Sequence, residues 1–254
     1  MEKDRNMSGN NKTALVIGGS RGIGRKIAEK LSDRGHPTIV AARNESDLSN
    51  LGKSYLGIHT CVEDASDDGI ASALMEKFDP EFLVLCVGHS PKMAPLQNQS
   101  WEEFSGAWNA DTKVSHAFFR AALTKPMRAG GRIVVLSSGA GLAGSRLSGG
   151  YAGAKRMQMF LSEYAQREAG ILKLDLTFLT VVPKQLVQDT EIGRSAGEAY
   201  SEAVGKPYAA FMSQWDKPLT SDLVGASVVD LLMNHNLPDE RAFSVTGAGL
   251  EPMS

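Results

Sequence analysis

The chain has 254 residues and a formal net charge of −2, with 42% apolar and 22% charged residues. This composition is that of an ordinary globular protein and excludes a disordered or fibrous chain. The charge is close to neutral and no block of five basic residues occurs, which argues against nucleic acid as a partner.

Short runs rich in leucine and β-branched residues alternate with longer segments of helical periodicity. Seven strands are predicted, at residues 13–17, 38–42, 56–61, 82–87, 132–136, 176–182 and 242–245. Five helices are predicted, at residues 23–34, 67–78, 101–127, 151–169 and 221–233. The continuous apolar run FLVLCV at 82–87 indicates burial on both faces, as in a parallel sheet covered by crossover helices. The predicted fold is therefore α/β, with a doubly wound, mainly parallel sheet and helices on both faces.

The N-terminal segment, the apolar runs and the cysteines indicate the number of domains and the cellular compartment. Segment 1–11 has mixed charge and no apolar stretch, and we expect a flexible extension of a single domain over 12–254. The apolar runs are too short to span a bilayer, so no membrane is expected. Cys61 and Cys86 lie in separate apolar runs without metal-ligand spacing, which indicates free thiols, no bound metal and a cytoplasmic location.

A glycine-rich turn follows the first predicted strand. In TALVIGGSRGIGRKIAEKL, the spacing of Gly18, Gly22 and Gly24 is G-x-x-x-G-x-G, between a strand and a helix. Glycine lets the backbone approach a pyrophosphate, and the free N–H groups at the start of a helix favour an anion. The pattern predicts a dinucleotide site, with a tight turn that binds nothing as the alternative.

The residues around this turn favour NADP(H) over NAD(H). The second strand ends in alanines at 41–42, where an NAD site usually has a carboxylate against the ribose. Arg43 follows directly and Arg21 lies in the glycine turn, so two guanidinium groups can converge on a 2′-phosphate. In the alternative interpretation both arginines are solvated and Glu45 or Asp47 reaches the ribose.

Tyr151 and Lys155 lie on one face at the start of a predicted helix. Tyrosine ionises near pH 10, so acid–base chemistry near neutrality needs a positive charge beside it, which Lys155 can supply. A Y-x-x-x-K pair alone is common on surface helices. Here, however, Ser137 and Ser138 follow a buried strand, where a doubly wound sheet has its ligand crevice.

With the glycine turn, Ser138 and the Y-x-x-x-K pair in this order, the chain resembles the short-chain dehydrogenase/reductase family over nearly its whole length. The resemblance implies a Rossmann-like fold and interconversion of a carbonyl and an alcohol by hydride transfer with NADP(H). Tyr151 would be the general acid or base, Lys155 its electrostatic partner and a ribose contact, and Ser138 the group that orients the substrate oxygen. Asn109 matches the family's helical asparagine, which holds a water in a proton relay; a surface or capping role is the alternative.

The resemblance also implies the residues that contact the cofactor. These are Gly18, Ser20, Arg21, Gly22, Ile23, Gly24, Arg43, Asp64, Gly88, Tyr151, Lys155, Pro183 and Leu186. Asp64 would contact the adenine or, alternatively, cap the next helix. His89, next to Gly88, is more typical of a loop histidine than of a catalytic group.

Three departures from the family pattern stand out. Ile17 replaces a threonine, and Leu85 and Cys86 replace the two amides of an N-N-A-G motif. These two changes fall on neighbouring strands, where apolar packing can compensate for the lost hydrogen bonds. Lys184 replaces the glycine of a P-G pair, and we expect it to alter the backbone turn or to enter the site.

Two regions bear on the substrate and on assembly. Segment 188–217 lies where the family has a mobile substrate lid, and its aromatic and methionine residues are expected either to line an apolar pocket or to pack the lid. They are Tyr200, Tyr208, Phe211, Met212 and Trp215. The helices at 101–127 and 151–169 carry a second set of apolar residues. In relatives such helices pair between subunits, so a homotetramer or homodimer is expected. Alternatively, these residues belong to the internal core. This set is Phe118, Phe119, Met157, Met159 and Phe160.

The leading hypothesis is a carbonyl reductase or alcohol dehydrogenase for a small-molecule carbonyl or alcohol substrate. The first alternative is a non-catalytic NADP-binding sensor or assembly protein that retains the fold. The three departures favour that alternative, whereas the set of Ser138, Tyr151, Lys155 and Asn109 argues against it. An isomerase or epimerase that uses the same tyrosine and lysine is a further alternative, which the short glycine turn disfavours.

Overall fold

The computed structural model describes residues 12–125 and 127–253 and contains one eight-stranded sheet. The strands are β1 (Ala14–Ile17), β2 (Thr38–Ala42), β3 (Ile58–Val62), β4 (Phe82–Leu85), β5 (Gly131–Leu136), β6 (Leu176–Pro183), β7 (Ala242–Thr246) and β8 (Gly249–Pro252). Their order across the sheet is β3-β2-β1-β4-β5-β6-β7-β8. Segment 1–11, the expected flexible extension, lies outside the described residues.

All strand pairs are parallel except β7–β8, so the prediction of a doubly wound, mainly parallel sheet is confirmed. The predicted number of seven strands is corrected to eight. β8 escapes prediction because its sequence, GLEP, is short and has one apolar side chain besides the proline. It forms a hairpin with β7 through the turn at 247–248, in which Thr246 pairs with Gly249.

Helices cover both faces of the sheet. Those in the described chain are α1 (Gly22–Asp33), α2 (Glu45–Ser54), α3 (Ile70–Phe78), α4 (Trp101–Ala107), α5 (Lys113–Thr124), α6 (Ala140–Ala143), α7 (Gly149–Ile171), α8 (Glu191–Ala203), α9 (Tyr208–Met212) and α10 (Ser221–Met233). The helix predicted over 101–127 is continuous from Trp101 to Thr124 and contains a π-helical turn at Trp108–Thr112, between the segments α4 and α5. Ser100 and Glu103 form a capping box that fixes the start of α4.

Alternate side chains of the strands supply two apolar layers. Val16 on β1 packs in the layer that contains Ile27 of α1 and Val228 of α10. The opposite layer contains Leu15 of β1 and Phe118 of α5. The helices that bound these layers carry the side chains of the candidate site, so the packing of the core positions that site.

Two of the departures from the family pattern meet in this core. Ile17 on β1 lies opposite Leu85 on β4 in the parallel register. Both side chains are fully buried in the same apolar layer. The expected compensation is therefore present: an apolar pair occupies the place of hydrogen-bonding side chains beneath the glycine turn.

The described helices include none that has both the length and the apolar character needed to cross a bilayer.

Candidate active site

A cleft of about 660 Å³ opens at the carboxyl ends of the strands, where β1 and β4 adjoin and the direction of winding reverses. This is the usual ligand position in a doubly wound sheet. The cleft brings together nearly all of the residues predicted for the site: Gly18, Ser20, Arg21, Gly22, Ile23, Gly24, Arg43, Asp64, Gly88, Ser138, Tyr151, Lys155, Pro183 and Leu186. The exception is Asn109.

The glycine turn has the close backbone packing that an anion site requires. Gly18 has a φ of +80°, and a Cβ atom there would lie 2.9 Å from the carbonyl oxygen of Cys86. A Cβ on Gly24 would lie 2.4 Å from the carbonyl oxygen of Gly18. Arg21 precedes α1 without capping it by its side chain, which leaves the first-turn N–H groups able to bind an anion. The turn therefore fits the pyrophosphate of a dinucleotide.

Two arginines border the same end of the cleft. The Nη1 atom of Arg43 lies 3.8 Å from Oδ2 of Asp64, and the Arg43 side chain is 74% exposed. Arg21 forms an ion pair with Glu191, the first residue of α8. The cleft also borders Asp47, so the alternative of a carboxylate against the ribose is still open.

Asp64 stabilises the loop after β3 and also faces the cleft. Its Oδ1 atom accepts hydrogen bonds from the backbone N–H of Ser66 at 2.9 Å and from the Ser66 hydroxyl at 2.7 Å. These bonds, with a smaller effect of Arg43, lower the pKa of the Asp64 carboxyl. The local turn accounts for this aspartate, whereas a contact with adenine stays a prediction.

Tyr151 and Lys155 lie in the first two turns of α7, and Ser138 follows β5. Burial raises the pKa of the Tyr151 phenol; Lys155 and the Ser138 hydroxyl lower it, and Asp111 raises it further. The expected simple lowering by Lys155 is therefore outweighed. Part of the cause is Asp111, a buried carboxylate that is not among the predicted site residues.

Lys155 borders the cleft but is only 3% exposed. Its Nζ atom donates hydrogen bonds to the carbonyl oxygens of Leu136 at 3.2 Å and Val87 at 3.3 Å and to Oε1 of Gln158 at 3.0 Å. It also lies 3.1 Å from Oδ2 of Asp111. Burial lowers the pKa of Lys155, but the neighbouring Asp111 and Tyr151 outweigh this effect and raise it. Contact with a nicotinamide ribose stays a prediction.

The structure does not bring Asn109 to the site. Its side chain is exposed and borders a shallow hollow beside Trp108 and Lys113. Asp111, two residues later, is fully buried and contacts Lys155. The assignment of the helical position to Asn109 is therefore corrected to Asp111.

A sequence signal for Asp111 exists. Asp111 precedes Ser115 by four residues and the core residue Phe118 by seven, which places all three on one helical face. Asn109 is out of phase with that face. Motif matching favours Asn109 because its residue type is that of the family asparagine, whereas helical phase selects the carboxylate.

The predicted effect of Lys184 is not seen. Its side chain is exposed to solvent, it is not among the residues that border the cleft, and its backbone N–H donates to the carbonyl oxygen of Val245 at 3.0 Å. Pro183 and Leu186 border the cleft on either side of it. The turn therefore keeps these two residues in place without a glycine.

The lid residues pack mainly on one another. The rings of Tyr200 and Phe211 stack at 6.5 Å, and Trp215 contacts Phe211 edge-on at 6.3 Å. The Tyr200 hydroxyl bonds to the Ser145 hydroxyl, which links α8 to the loop before α7. Since none of these aromatic residues borders the cleft, the geometry favours the packing interpretation over direct lining of a pocket.

The residues expected to pair subunits divide into two groups. Phe118 and Phe119 are buried in the core, as in the internal alternative. Phe160 and the neighbouring Tyr164 on α7 are more than half exposed. Association through this face of α7 stays a prediction.

Both cysteines are free thiols. Burial raises the pKa of Cys86, at the floor of the cleft, to about 12. Over residues 12–125 and 127–253, no group of three His, Cys, Asp or Glu side chains is placed to hold a metal ion.

Comparison with known proteins agrees with this geometry. The chain is 30% identical to the 3-oxoacyl-(acyl-carrier-protein) reductase of Salmonella typhimurium, over 64% of this chain and 69% of that protein. It is also 30% identical to the 3-oxoacyl-(acyl-carrier-protein) reductase MabA of Mycobacterium avium, over 74% of this chain and 71% of that protein. The NADPH-dependent pterin aldehyde reductase of Arabidopsis thaliana is 29% identical over 57% of this chain and 63% of its own.

Solved structures show the same fold. A single-residue variant of actinorhodin polyketide ketoreductase with NADPH superposes with a TM-score of 0.78 at 21% identity, covering 94% of this chain and 97% of that one. Sorbitol-6-phosphate 2-dehydrogenase from Erwinia amylovora superposes with a TM-score of 0.77 at 21% identity, covering 92% and 98%. The family model described as short chain dehydrogenase matches residues 12–196. Together with the cleft, the glycine turn and the Ser138–Tyr151–Lys155 arrangement, this match establishes that the chain belongs to the short-chain dehydrogenase family.

Proposed function

We propose that this protein is an NADP(H)-dependent oxidoreductase that interconverts a carbonyl and an alcohol, with Tyr151 as the general acid or base. The observation that carries the proposal is the convergence of Ser138, Tyr151 and Lys155 on a cleft bordered by an uncapped helix N-terminus and two arginines. Several reductases among the relatives support this reaction class. Membership of the family supports a nicotinamide cofactor.

The residues of the cleft would hold NADP(H) from its adenosine end to its nicotinamide end. Arg43 and Arg21 would bind the 2′-phosphate, because guanidinium groups match its charge and geometry. The first-turn N–H groups of α1 would bind the pyrophosphate. Pro183 and Leu186 would lie against the nicotinamide. The bound cofactor supplies or accepts the hydride, which is the redox part of the reaction.

The protein's own part is the transfer of a proton and the orientation of the substrate. In the direction of reduction, the Tyr151 hydroxyl donates its proton to the carbonyl oxygen as negative charge develops there. The Ser138 hydroxyl donates a hydrogen bond to the same oxygen. In oxidation the proton passes from the alcohol to Tyr151. We propose a small organic carbonyl compound or alcohol as the substrate.

The test measures binding first and turnover second. Titration with NADPH and NADH by fluorescence is followed by assays of NADPH consumption with ketones, aldehydes and 3-oxoacyl thioesters. We expect NADPH to bind more tightly, and Tyr151→Phe to lower turnover by about 10²-fold or more while the cofactor still binds. The matched control is Tyr164→Phe, an exposed tyrosine on the same helix, which should retain full activity.

A non-catalytic cofactor-binding protein is the second candidate. It is favoured by the direction of Lys155, whose ammonium group is held by Asp111, Gln158 and two carbonyl oxygens. Tight binding of NADPH with no turnover that depends on Tyr151 would support it. Failure to bind either nucleotide would refute both proposals.

A further inference from the structure

A buried polar cluster lies between α7, α5 and the π-helical turn, close to the Tyr151 ring. We call it the interior cluster and define it as Asp111, Ser115, Lys155 and Gln158. All four residues are at least 97% buried. A cluster of this kind is costly to bury unless its charges balance and its hydrogen bonds are made.

The hydrogen bonds of the interior cluster hold the lysine in one place. Gln158 accepts from Nζ of Lys155 at 3.0 Å, and its amide group donates to the Ser115 hydroxyl at 2.8 Å and to the backbone carbonyl of Asp111 at 3.2 Å. The Ser115 hydroxyl donates to that same carbonyl at 2.9 Å. The chain therefore holds the Lys155 ammonium group with its own atoms.

Asp111 is held equally firmly. Its Oδ1 atom accepts the backbone N–H of His89 at 2.8 Å, which ties it to the loop after β4. Its Oδ2 atom faces Nζ of Lys155 at 3.1 Å and receives no well-directed hydrogen bond from the described residues. The carboxylate therefore acts on Lys155 chiefly through its charge.

Few other ionisable groups lie near the Asp111–Lys155 pair. Nζ of Lys155 lies 5.5 Å from the centre of the Tyr151 ring. The Cys86 thiol interacts electrostatically with Lys155 and Asp111, and burial, which raises its pKa to about 12, keeps it protonated. The imidazole of His89 packs against Gly106 of α4. Tyr151 is thus the group whose ionisation depends most on whether Lys155 is balanced.

We propose that Asp111 is a positioning residue that balances the charge of Lys155, so that Tyr151 keeps its proton near neutral pH and acts as the acid in carbonyl reduction. A lysine without this carboxylate would favour the phenolate, and hence the base needed for alcohol oxidation. The inference rests on the proposed function and deepens it, since it assigns the protonation state in which Tyr151 meets its substrate, the one that carbonyl reduction requires. In this direction the carbonyl oxygen takes the Tyr151 proton, the carbonyl carbon takes the hydride of reduced NADP, and solvent reprotonates the tyrosinate.

The test follows the Tyr151 phenol itself, in the full chain without cofactor or substrate. Tyrosine labelled with ¹³C at Cζ is titrated by NMR, and the Tyr151 signal is assigned from its loss in Tyr151→Phe. Wild-type Tyr151 should titrate above the ordinary value near 10, and Asp111→Asn should lower its pKa by about one unit or more. Asp68→Asn, at an exposed carboxylate that pairs with Lys113, should leave it unchanged.

Two results would overturn the inference. One is a wild-type Tyr151 that titrates at or below its ordinary value, which decides the matter even if Asp111→Asn fails to fold. The other is a folded Asp111→Asn protein, checked by thermal melting, in which the Tyr151 signal titrates as in wild type. Where a carbonyl substrate is found, the alkaline limb of kcat/KM for reduction should move down by the same amount. Because the NMR result needs no turnover, it is independent of failure of the proposed function.

Discussion

The replacement Arg43→Ala tests the choice between NADPH and NADH, and its size follows from the geometry. Arg43 is 74% exposed and lies 3.8 Å from Asp64, and such an exposed pair contributes about 0–1 kcal/mol. Turning the guanidinium from Asp64 to a 2′-phosphate therefore costs little. A hydrogen bond to a charged group contributes about 1.5–3 kcal/mol. The net loss in Arg43→Ala is therefore about 0.5–3 kcal/mol, or about 2- to 150-fold in the Kd of NADPH.

The assay is a fluorescence titration of both nucleotides at one fixed ionic strength. NADH lacks the 2′-phosphate, so its Kd should change less than about twofold. Arg128→Ala removes another exposed arginine, which pairs with Asp79 and is not among the residues that border the cleft, and serves as the control. An equal loss of affinity for NADPH and NADH would refute a contact between Arg43 and the 2′-phosphate, because Arg43 would then bind a group that both nucleotides have. Unchanged NADPH binding would refute it as well.

Two further results are expected. Glu191→Gln removes the carboxylate that pairs with Arg21, so the Kd of NADPH should fall about two- to fivefold and that of NADH less, whereas Glu163→Gln on the exposed face of α7 should change neither. A fall of equal size for both nucleotides would show that Arg21 does not reach the 2′-phosphate. Burial raises the pKa of Cys86 to about 12 and that of Cys61 above its usual range, so iodoacetamide at pH 8 should label both thiols more slowly in the folded protein than after urea unfolds the chain. Alkylation of Cys86 in the folded protein at the rate of the unfolded chain, read by mass spectrometry, would contradict the raised pKa.

Most of the fold could be predicted from the sequence because its signals are local. The apolar runs that became β1, β4 and β5 are short and continuous, and the glycine turn fixes where α1 begins. Helix α2 was not predicted, since Leu48 and Leu51 alone mark its buried face. The hairpin strand β8 was missed for a similar reason: its stability comes from pairing with β7 rather than from its own side chains.

The glycine turn of the site could be predicted because its residues are required by local backbone geometry. The partners of Lys155 could not, because they depend on contacts between residues far apart in the sequence. Gly18 and Gly24 are required by contacts within one turn and with the adjoining strand end, and the cleft is formed around them. Motif matching passes over Asp111, the partner of Lys155, because Asn109 has the residue type of the family asparagine. Gln158 was missed because nothing local marks it: its role depends on Asp111 and Ser115, which are far away in sequence.

The π-helical turn at Trp108–Thr112 gives the chain a point at which its length can change by one residue. An α-helix advances by about 100° for each residue, so deletion of one residue here would join α4 and α5 into a regular helix and rotate one relative to the other. The sheet would be untouched, but a deletion at Thr112 would take Asp111 out of phase with Ser115 and turn its carboxylate away from Lys155. A single insertion or deletion, rather than a substitution, is thus enough to add or remove the charge behind Tyr151. In an alignment of related sequences, such a change would be seen as a gap of one residue at this turn.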